Sequence, residues 1–183
     1  MPAPSHVPTI ATERLDLVCM SRELMEALDS DARARVPSLA DFKIPPGFPE
    51  TDEQVLRFRI GDLARDPNCH RWLVRAMVLR EPARVMIGHI GFHGPPDDDG
   101  RAEIGYAVFP SFRRQGYALE AIEGMFAWAQ EEERITRFRA AVGPDNAPSL
   151  RLVEKLGFRQ VGTQIDEIDG EELVFELDMS MRR

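Results

Sequence analysis

The sequence lacks the features that mark several classes of protein. Its 183 residues contain two cysteines, Cys19 and Cys69, whose wide spacing predicts neither a disulfide framework nor a zinc site. No apolar run approaches the roughly 20 residues that a membrane-spanning helix needs. The opening residues also lack the basic region and apolar stretch of a secretory signal. We therefore expect a cytoplasmic protein with no membrane partner.

Positive charge is scarce as well. Acidic residues outnumber basic ones by 31 to 23, which gives a net charge of −8. Such a balance disfavours nucleic acid as a partner and mildly favours a cationic one, such as an amine. Only two of the basic residues are lysines, Lys43 and Lys155, so arginine carries nearly all the positive charge. Arginine suits bidentate contacts with phosphate, although genome composition produces the same bias.

The rest of the composition is that of one globular domain. Of the residues, 43% are hydrophobic and 30% are charged, and no repeat divides the chain. We expect a single domain over residues 1–183, with residues 1–9 as a loose lead-in. Ser21 and Thr51 are the expected helix caps, and Asp169-Gly170 is the expected turn between the last two strands. Apolar spacing predicts strands over 12–20, 71–79, 85–92, 101–109, 136–142, 158–165 and 171–179, and helices over 22–28, 51–64, 115–132 and 148–156.

One turn has the composition of an anion site. A strand ends at Pro110, and Arg113-Arg114-Gln115-Gly116-Tyr117-Ala118 then leads into a helix. The first amides of a helix are unpaired and carry partial positive charge, so they attract phosphate. Small residues at Gly116 and Ala118 allow close approach, and the two arginines add charge-assisted hydrogen bonds. A ligand-free helix start with the same residues is the alternative.

A second element lies about 30 residues further on. Pro148 suits the first position of a helix and disfavours helical geometry at Ala147. Asn146 is therefore expected just before the cap, with its amide available to a ligand. The alternative is that Asn146 only stabilises a turn.

Together, the two elements resemble the GNAT superfamily of acyl-CoA-dependent N-acetyltransferases. Arg113-x-x-Gly116-x-Ala118 resembles the family's pyrophosphate motif. Asn146-x-x-Ser149 running into Lys155-Leu156-Gly157-Phe158 resembles its second cofactor-proximal motif. The chain is most similar to the RimJ/RimL branch, whose founding members acetylate protein N-termini, because Glu103-Ile104-Gly105-Tyr106 and Thr12-Glu13-Arg14-Leu15 also recur there.

The resemblance implies a fold, a co-substrate and a binding site. The fold would be α+β, a mixed and mostly antiparallel seven-stranded sheet flanked by helices, with its fourth and fifth strands (102–109 and 136–142) splayed apart. The co-substrate would be acetyl-CoA, with no metal, and a homodimer is possible by the same resemblance. An amine acceptor, either a small molecule or a protein N-terminus, would lie opposite the cofactor, walled by the early helices and residues 44–49. The implied cofactor-binding residues are Val108, Arg113, Arg114, Gln115, Gly116, Tyr117, Ala118, Asn146 and Ser149.

The resemblance also implies catalytic roles. Glu103 is the expected base, because acidic residues at the matching strand position serve so in some relatives; a structural ion pair with an arginine is the alternative. Many relatives have a thiolate-protonating tyrosine where this chain has Val153, so Ser149 is the expected acid, with helix capping as its alternative. Transfer is expected to be direct, because neither cysteine lies near the two motifs.

The sequence alone leaves two other functions open. A noncatalytic acyl-CoA-binding or regulatory module would keep the same turn, and acylation of a hydroxyl group or a drug would differ only in the acceptor. A metal site at His89 and His93 is not expected, because four residues of strand span roughly 13 Å.

Overall fold

A computed structural model describes residues 7–48, 53–168 and 170–180. Most of the expected lead-in, the cap residue Thr51, the wall residue Pro49 and the turn residue Asp169 lie outside these ranges.

A single sheet runs through the molecule. Within the described ranges it has eight strands, in the order β1-β2-β3-β4-β5-β6-β8-β7. Neighbours are antiparallel except β5 and β6, so the predicted mixed α+β sheet is confirmed. The strands are β1 (Ile10–Ala11), β2 (Leu15–Cys19), β3 (Arg75–Leu79), β4 (Val85–Phe92), β5 (Arg101–Val108), β6 (Arg137–Val142), β7 (Arg159–Asp166) and β8 (Gly170–Asp178).

The eighth strand, β1, precedes the first predicted strand, which itself begins at Leu15 instead of Thr12. The Thr12 amide donates to the Leu15 carbonyl at 2.8 Å, and the Leu15 amide donates to Thr12 Oγ1 at 3.1 Å. These bonds close a tight turn, so residues 10–19 form a hairpin.

The helices lie on both faces of the sheet. Ser21 caps the first one as predicted, since its Oγ accepts from the Leu24 amide at 3.1 Å. The prediction of strand from residue 71 was wrong, because Pro67 begins a short 3₁₀ turn, Pro67–Trp72, that Asp66 caps. The α-helices are α1 (Arg22–Leu28), α2 (Val36–Leu39), α3 (Glu53–Arg65), α4 (Tyr117–Glu133) and α5 (Ala147–Leu156).

Two apolar clusters hold these layers to the sheet. One packs α4 against the central strands, with Ile104, Phe126 and Phe138 each at most 5% exposed. The other packs α1 and α3 against the opposite face, where Met25 and Leu56 are fully buried. The central strands β4 and β5 are therefore fixed from both sides, which makes them a rigid base for a site.

The sheet opens between β5 and β6. These strands share three parallel pairs, Arg101 with Arg137, Ala102 with Phe138 and Glu103 with Arg139. Beyond Glu103, β5 continues for five residues that have no partner on β6 within the described ranges. The predicted splay is confirmed, although these are the fifth and sixth strands of the sheet rather than the fourth and fifth.

Candidate active site

The turn after β5 presents the start of α4 to solvent. Arg114 and Gly116 have φ values of 60° and 85°, in the left-handed region, and Gly116 is the residue before the first helical one. No side chain caps α4, so its first amides keep their hydrogen-bonding capacity. The helix begins at Tyr117, two residues later than predicted. Arg113, Arg114, Gln115 and Gly116 are all exposed, so an anion can reach them.

The two arginines of the turn differ in their contacts. Arg113 Nε donates to the Val108 carbonyl at 2.8 Å, which braces the turn against the end of β5. Arg114 owes its position to the left-handed backbone, which is costly for a residue with a Cβ. Backbone strain of this kind is often retained where a ligand uses the resulting shape.

Arg14, which motif reasoning did not connect with the turn, holds it from the side. Its Nη1 donates to the Gln115 carbonyl at 3.0 Å, and its guanidinium lies 4.4 Å from the centre of the Tyr117 ring. Its Nε is 2.7 Å from Glu120 Oε2, and Glu120 Oε1 also accepts from Thr12 Oγ1 at 2.6 Å. Burial would raise the pKa of Glu120, but the hydrogen bonds from Thr12 and Arg14 hold it below its ordinary value.

The open edge of β5 carries backbone donors. Hydrogen bonds from Phe109 to Ile87 and from His93 to Glu103, both 2.8 Å, set the register with β4. In an antiparallel pair, successive residues direct their backbone groups to opposite sides. The amides of Tyr106 and Val108 therefore face the gap toward β6. Val108 is the last residue of β5 and lies beside this gap.

The structure places Asn146 and Ser149 at the start of α5. Asn146 is itself the cap of α5, not the residue before it, since its Oδ1 accepts from the Ser149 amide at 3.3 Å. The amide of Ser149 takes part in that cap, whereas its hydroxyl accepts a hydrogen bond from another residue. Tyr106 Oη donates to Ser149 Oγ at 3.1 Å, which ties β5 to α5 beside the gap. Burial raises the pKa of Tyr106, partly offset by this hydrogen bond.

Sequence reasoning missed Tyr106 as a functional candidate. The sequence marked Tyr106 only as part of a branch motif, whereas the position of the usual family tyrosine, Val153, is buried and 3% exposed. A hydroxyl pair next to the gap can hold or pass a proton, which a valine cannot.

Glu103 lies in a cluster of charged groups on the opposite face from α4. Its Oε1 is 3.3 Å from His93 Nδ1, and its Oε2 is 3.2 Å from Arg139 Nε. The hydrogen bond from His93, together with the charges of Arg139 and Arg59, holds the pKa of Glu103 below its usual range although burial would raise it. Glu103 therefore does pair with an arginine, the alternative left open by the sequence.

A cavity of about 210 Å³ opens beside this cluster. Its walls come from α3, from β4 and β5, and from Val74 and His93. It lies on the α3 side of the sheet, across β5 from the α4 cluster. Its lining includes His89, His93, Gly105 and Ala107.

The arrangement fits a phosphate-bearing acyl carrier. An uncapped helix start, a glycine at positive φ and an opened sheet edge lie next to one another. Within the described ranges, no three His, Cys, Asp or Glu residues are grouped closely enough to hold a metal ion. In the same ranges, no helix has the length and apolar character to cross a bilayer.

Comparison with known proteins agrees with this fit. The Acetyltransferase (GNAT) domain pattern matches residues 14–159. An N-acetyltransferase of Bacillus subtilis, YjdG, is 29% identical over 81% of this chain and 88% of its own length. Two solved structures share the fold. The ribosomal-protein-S5-alanine acetyltransferase of Vibrio fischeri is 14% identical with a TM-score of 0.64, and the match covers 96% of this chain and 99% of that one. RimJ of Mycobacterium smegmatis in complex with CoA-disulfide is 17% identical with a TM-score of 0.64, and the match covers 97% of this chain and 90% of that one. The turn and the splayed strands agree with the domain match over residues 14–159. The chain therefore belongs to the GNAT family and is an N-acetyltransferase.

Proposed function

We propose that the protein transfers an acetyl group from acetyl-CoA to a primary amine by direct attack in a ternary complex. The observation that carries the proposal is the parting of β5 and β6 immediately before the uncapped start of α4. Acetyl-CoA supplies a thioester whose acyl group an amine can accept with release of a thiol. The protein's own residues have to bind the carrier, orient the acyl group and move two protons.

The turn is proposed to bind the pyrophosphate. The donors are the amides around Gln115, Tyr117 and Ala118, with Gly116 leaving room for the phosphate oxygens. Arg113 and Arg114 add positive charge at the mouth of the site. Asn146 and Ser149 flank the gap from α5 and are proposed to border the carrier's thiol end.

The Val108 amide is proposed to polarise the acetyl carbonyl. It faces the gap because of its register with β4. A fixed backbone donor that points at developing negative charge contributes about 3 kcal/mol to transition-state stabilisation in other enzymes.

The two proton transfers of the proposed reaction take place on opposite faces of β5. Glu103, on the cavity side, is proposed to take part in removing the proton from the acceptor ammonium. Ser149 is proposed to protonate the departing thiolate, and the hydrogen bond from Tyr106 gives it a neighbour that can restore its proton. The half-buried hydroxyl pair beside the gap supports this role, because a hydroxyl there can reach a ligand held between the strands.

For the acceptor, we propose a RimJ/RimL-like preference for an α-amino group, of a peptide or of a small molecule. The support is the likeness to RimJ and to the S5-alanine acetyltransferase, together with the acidic net charge of −8. The acceptor amine would enter through the cavity beside His93 and Gly105.

The test is a thiol-release assay with acetyl-CoA. The acceptors are peptides that begin with Ala or Ser, free amino acids, spermine and an aminoglycoside, and mass spectrometry locates the added acetyl group. The expected result is a single acetylated amine with stoichiometric thiol. Tight binding of acetyl-CoA without product from any acceptor would contradict the proposal and favour the noncatalytic acyl-CoA-binding module. Products acylated only on hydroxyl groups would contradict the amine assignment.

A further inference from the structure

His93 and Glu103 face each other where β4 ends and β5 begins. The His93 amide donates to the Glu103 carbonyl at 2.8 Å, so the two residues are directly opposite and their side chains share a face. The side chains meet, with His93 Nδ1 3.3 Å from Glu103 Oε1. A histidine whose one nitrogen faces a carboxylate has its tautomer fixed, with the proton on that nitrogen.

The carboxylate is poorly placed to be the base itself. One oxygen faces His93, and the other lies 3.2 Å from Arg139 Nε. Both contacts stabilise the ionised form and hold its pKa low, which weakens its pull on an ammonium proton. Glu103 also lies behind the cavity, whose lining includes His93 but not Glu103.

The ring of His93 occupies the space that Gly105 leaves open. A Cβ at residue 105 would lie 2.5 Å from His93 Nε2, so any other residue there would push the ring away. Nε2 therefore rests over β5 at the wall of the cavity. The side chain is 48% exposed, so a proton received there can pass to solvent.

Other polar groups near the ring have their own partners. Arg59 donates to the His93 carbonyl at 3.4 Å and pairs with Asp62 at 2.9 Å. His89 lines the same cavity but is 6% exposed, with its ring centre 5.9 Å from that of Phe48. His93 is the more accessible of the two histidines.

Resting on the proposed transfer reaction, we infer that His93 Nε2 takes the proton from the acceptor ammonium, and that Glu103 is a positioning residue that holds the ring. The N–H bond of the ammonium breaks, and its electron pair stays on the amine nitrogen, which becomes the nucleophile. The proton forms the new Nε2–H bond, and the resulting imidazolium is stabilised by Glu103. The imidazolium then loses a proton to solvent.

The first test needs neither cofactor nor acceptor. Nitrogen-15 NMR of the histidine rings should show that neutral His93 carries its proton on Nδ1. In Glu103→Ala, the population should shift toward the Nε2–H tautomer, which is the usual one for a free ring. A wild-type His93 that carries its proton on Nε2 would overturn the inference, because that nitrogen could not accept another.

The second test uses turnover with the best acceptor of the thiol-release panel. His93→Gly should lower kcat/KM by about 100-fold or more, the range for loss of general base catalysis. Added imidazole should restore part of it, while affinity for coenzyme A and the Tm stay near wild type. Unchanged turnover, or rescue by imidazole in His89→Gly instead, would overturn the inference.

A double-mutant cycle separates the two roles. If Glu103 acts through His93, then Glu103→Gln should lower kcat by about tenfold in the wild-type background and by less than twofold in His93→Gly. A further large loss in the double variant would make Glu103 the base and refute the assignment. Failure of wild-type protein to acetylate any acceptor would count against the proposed function alone, since the NMR test judges His93 independently.

Discussion

Replacing Arg14 by lysine should weaken the binding of coenzyme A without unfolding the protein. The change removes the hydrogen bond from Nη1 to the Gln115 carbonyl, 3.0 Å long, and the stacking of the guanidinium over Tyr117. It keeps the positive charge next to Glu120, so the ion pair can persist. Arg14 thus tests whether the shape of the turn, and not only its charge, holds the ligand.

The expected size follows from the two interactions that the substitution removes. A hydrogen bond from a charged donor that is 42% exposed contributes about 1 kcal/mol after solvent screening. A cation–π interaction at an exposed site adds about 0.5 kcal/mol. If the turn adopts its ligand-binding shape only with both of them in place, the dissociation constant for coenzyme A should rise about tenfold.

Calorimetric titration of coenzyme A into the two proteins measures the change. The matched control is Arg22→Lys, because Arg22 makes an ion pair of the same length, 2.7 Å, with Glu26 but lies on α1, far from the turn in the chain. The control should bind coenzyme A like wild type. Equal affinity in Arg14→Lys and wild type, with both folded, would refute the role assigned to Arg14.

Three further predictions concern other parts of the molecule. Tyr106→Phe removes the hydrogen bond to Ser149, so steady-state kinetics should show kcat falling about tenfold, while titration shows that coenzyme A affinity is kept. An unchanged kcat would exclude proton transfer between Tyr106 and Ser149. The pKa of Glu120 is lowered in the folded state, so its contribution to stability is present above the unfolded pKa of about 4.3 and is lost as the pH falls through the folded pKa. Urea denaturation should therefore show that the stability advantage of wild type over Glu120→Gln shrinks below about pH 5. A difference that stays constant with pH would contradict this. Arg75 is fully buried, donates to three backbone carbonyls and lies over the ring of Trp128. Arg75→Met should therefore lower the free energy of unfolding by about 1–3 kcal/mol, and a more stable variant would contradict that account.

The sequence was most informative where local geometry decides the outcome. The turn at Gly116 and the cap at Ser21 follow from backbone preferences that a few neighbouring residues set. The succession of strands along the chain followed from apolar alternation, and the mixed sheet and the splay of β5 from β6 were expected on the resemblance alone. Local patterns failed at residues 71–74, because Pro67 and the preceding aspartate begin a 3₁₀ turn that extends to Trp72, and the strand starts only at Arg75.

Contacts between distant residues could not be found in the same way. Arg14 and Gln115 are 101 positions apart, and Tyr106 and Ser149 are 43 apart, so no spacing rule connects them. The sequence considered His93 only as a metal ligand together with His89, and rejected that role. Its pairing with Glu103 depends on the hairpin register and on the space left by Gly105, which no local pattern shows. The catalytic roles of Glu103 and Ser149 stay predictions, and the structure adds His93 and Tyr106 as the neighbours that would share those roles.

A crystal structure of the protein grown with acetyl-CoA would test the central claim most directly. The account predicts that the pyrophosphate lies within hydrogen-bonding distance, about 2.7–3.2 Å, of the amides that follow Arg113 up to Ala118. It also predicts that the acyl end enters between β5 and β6 next to the Val108 amide. A pyrophosphate bound anywhere else, with the turn left to water, would contradict it.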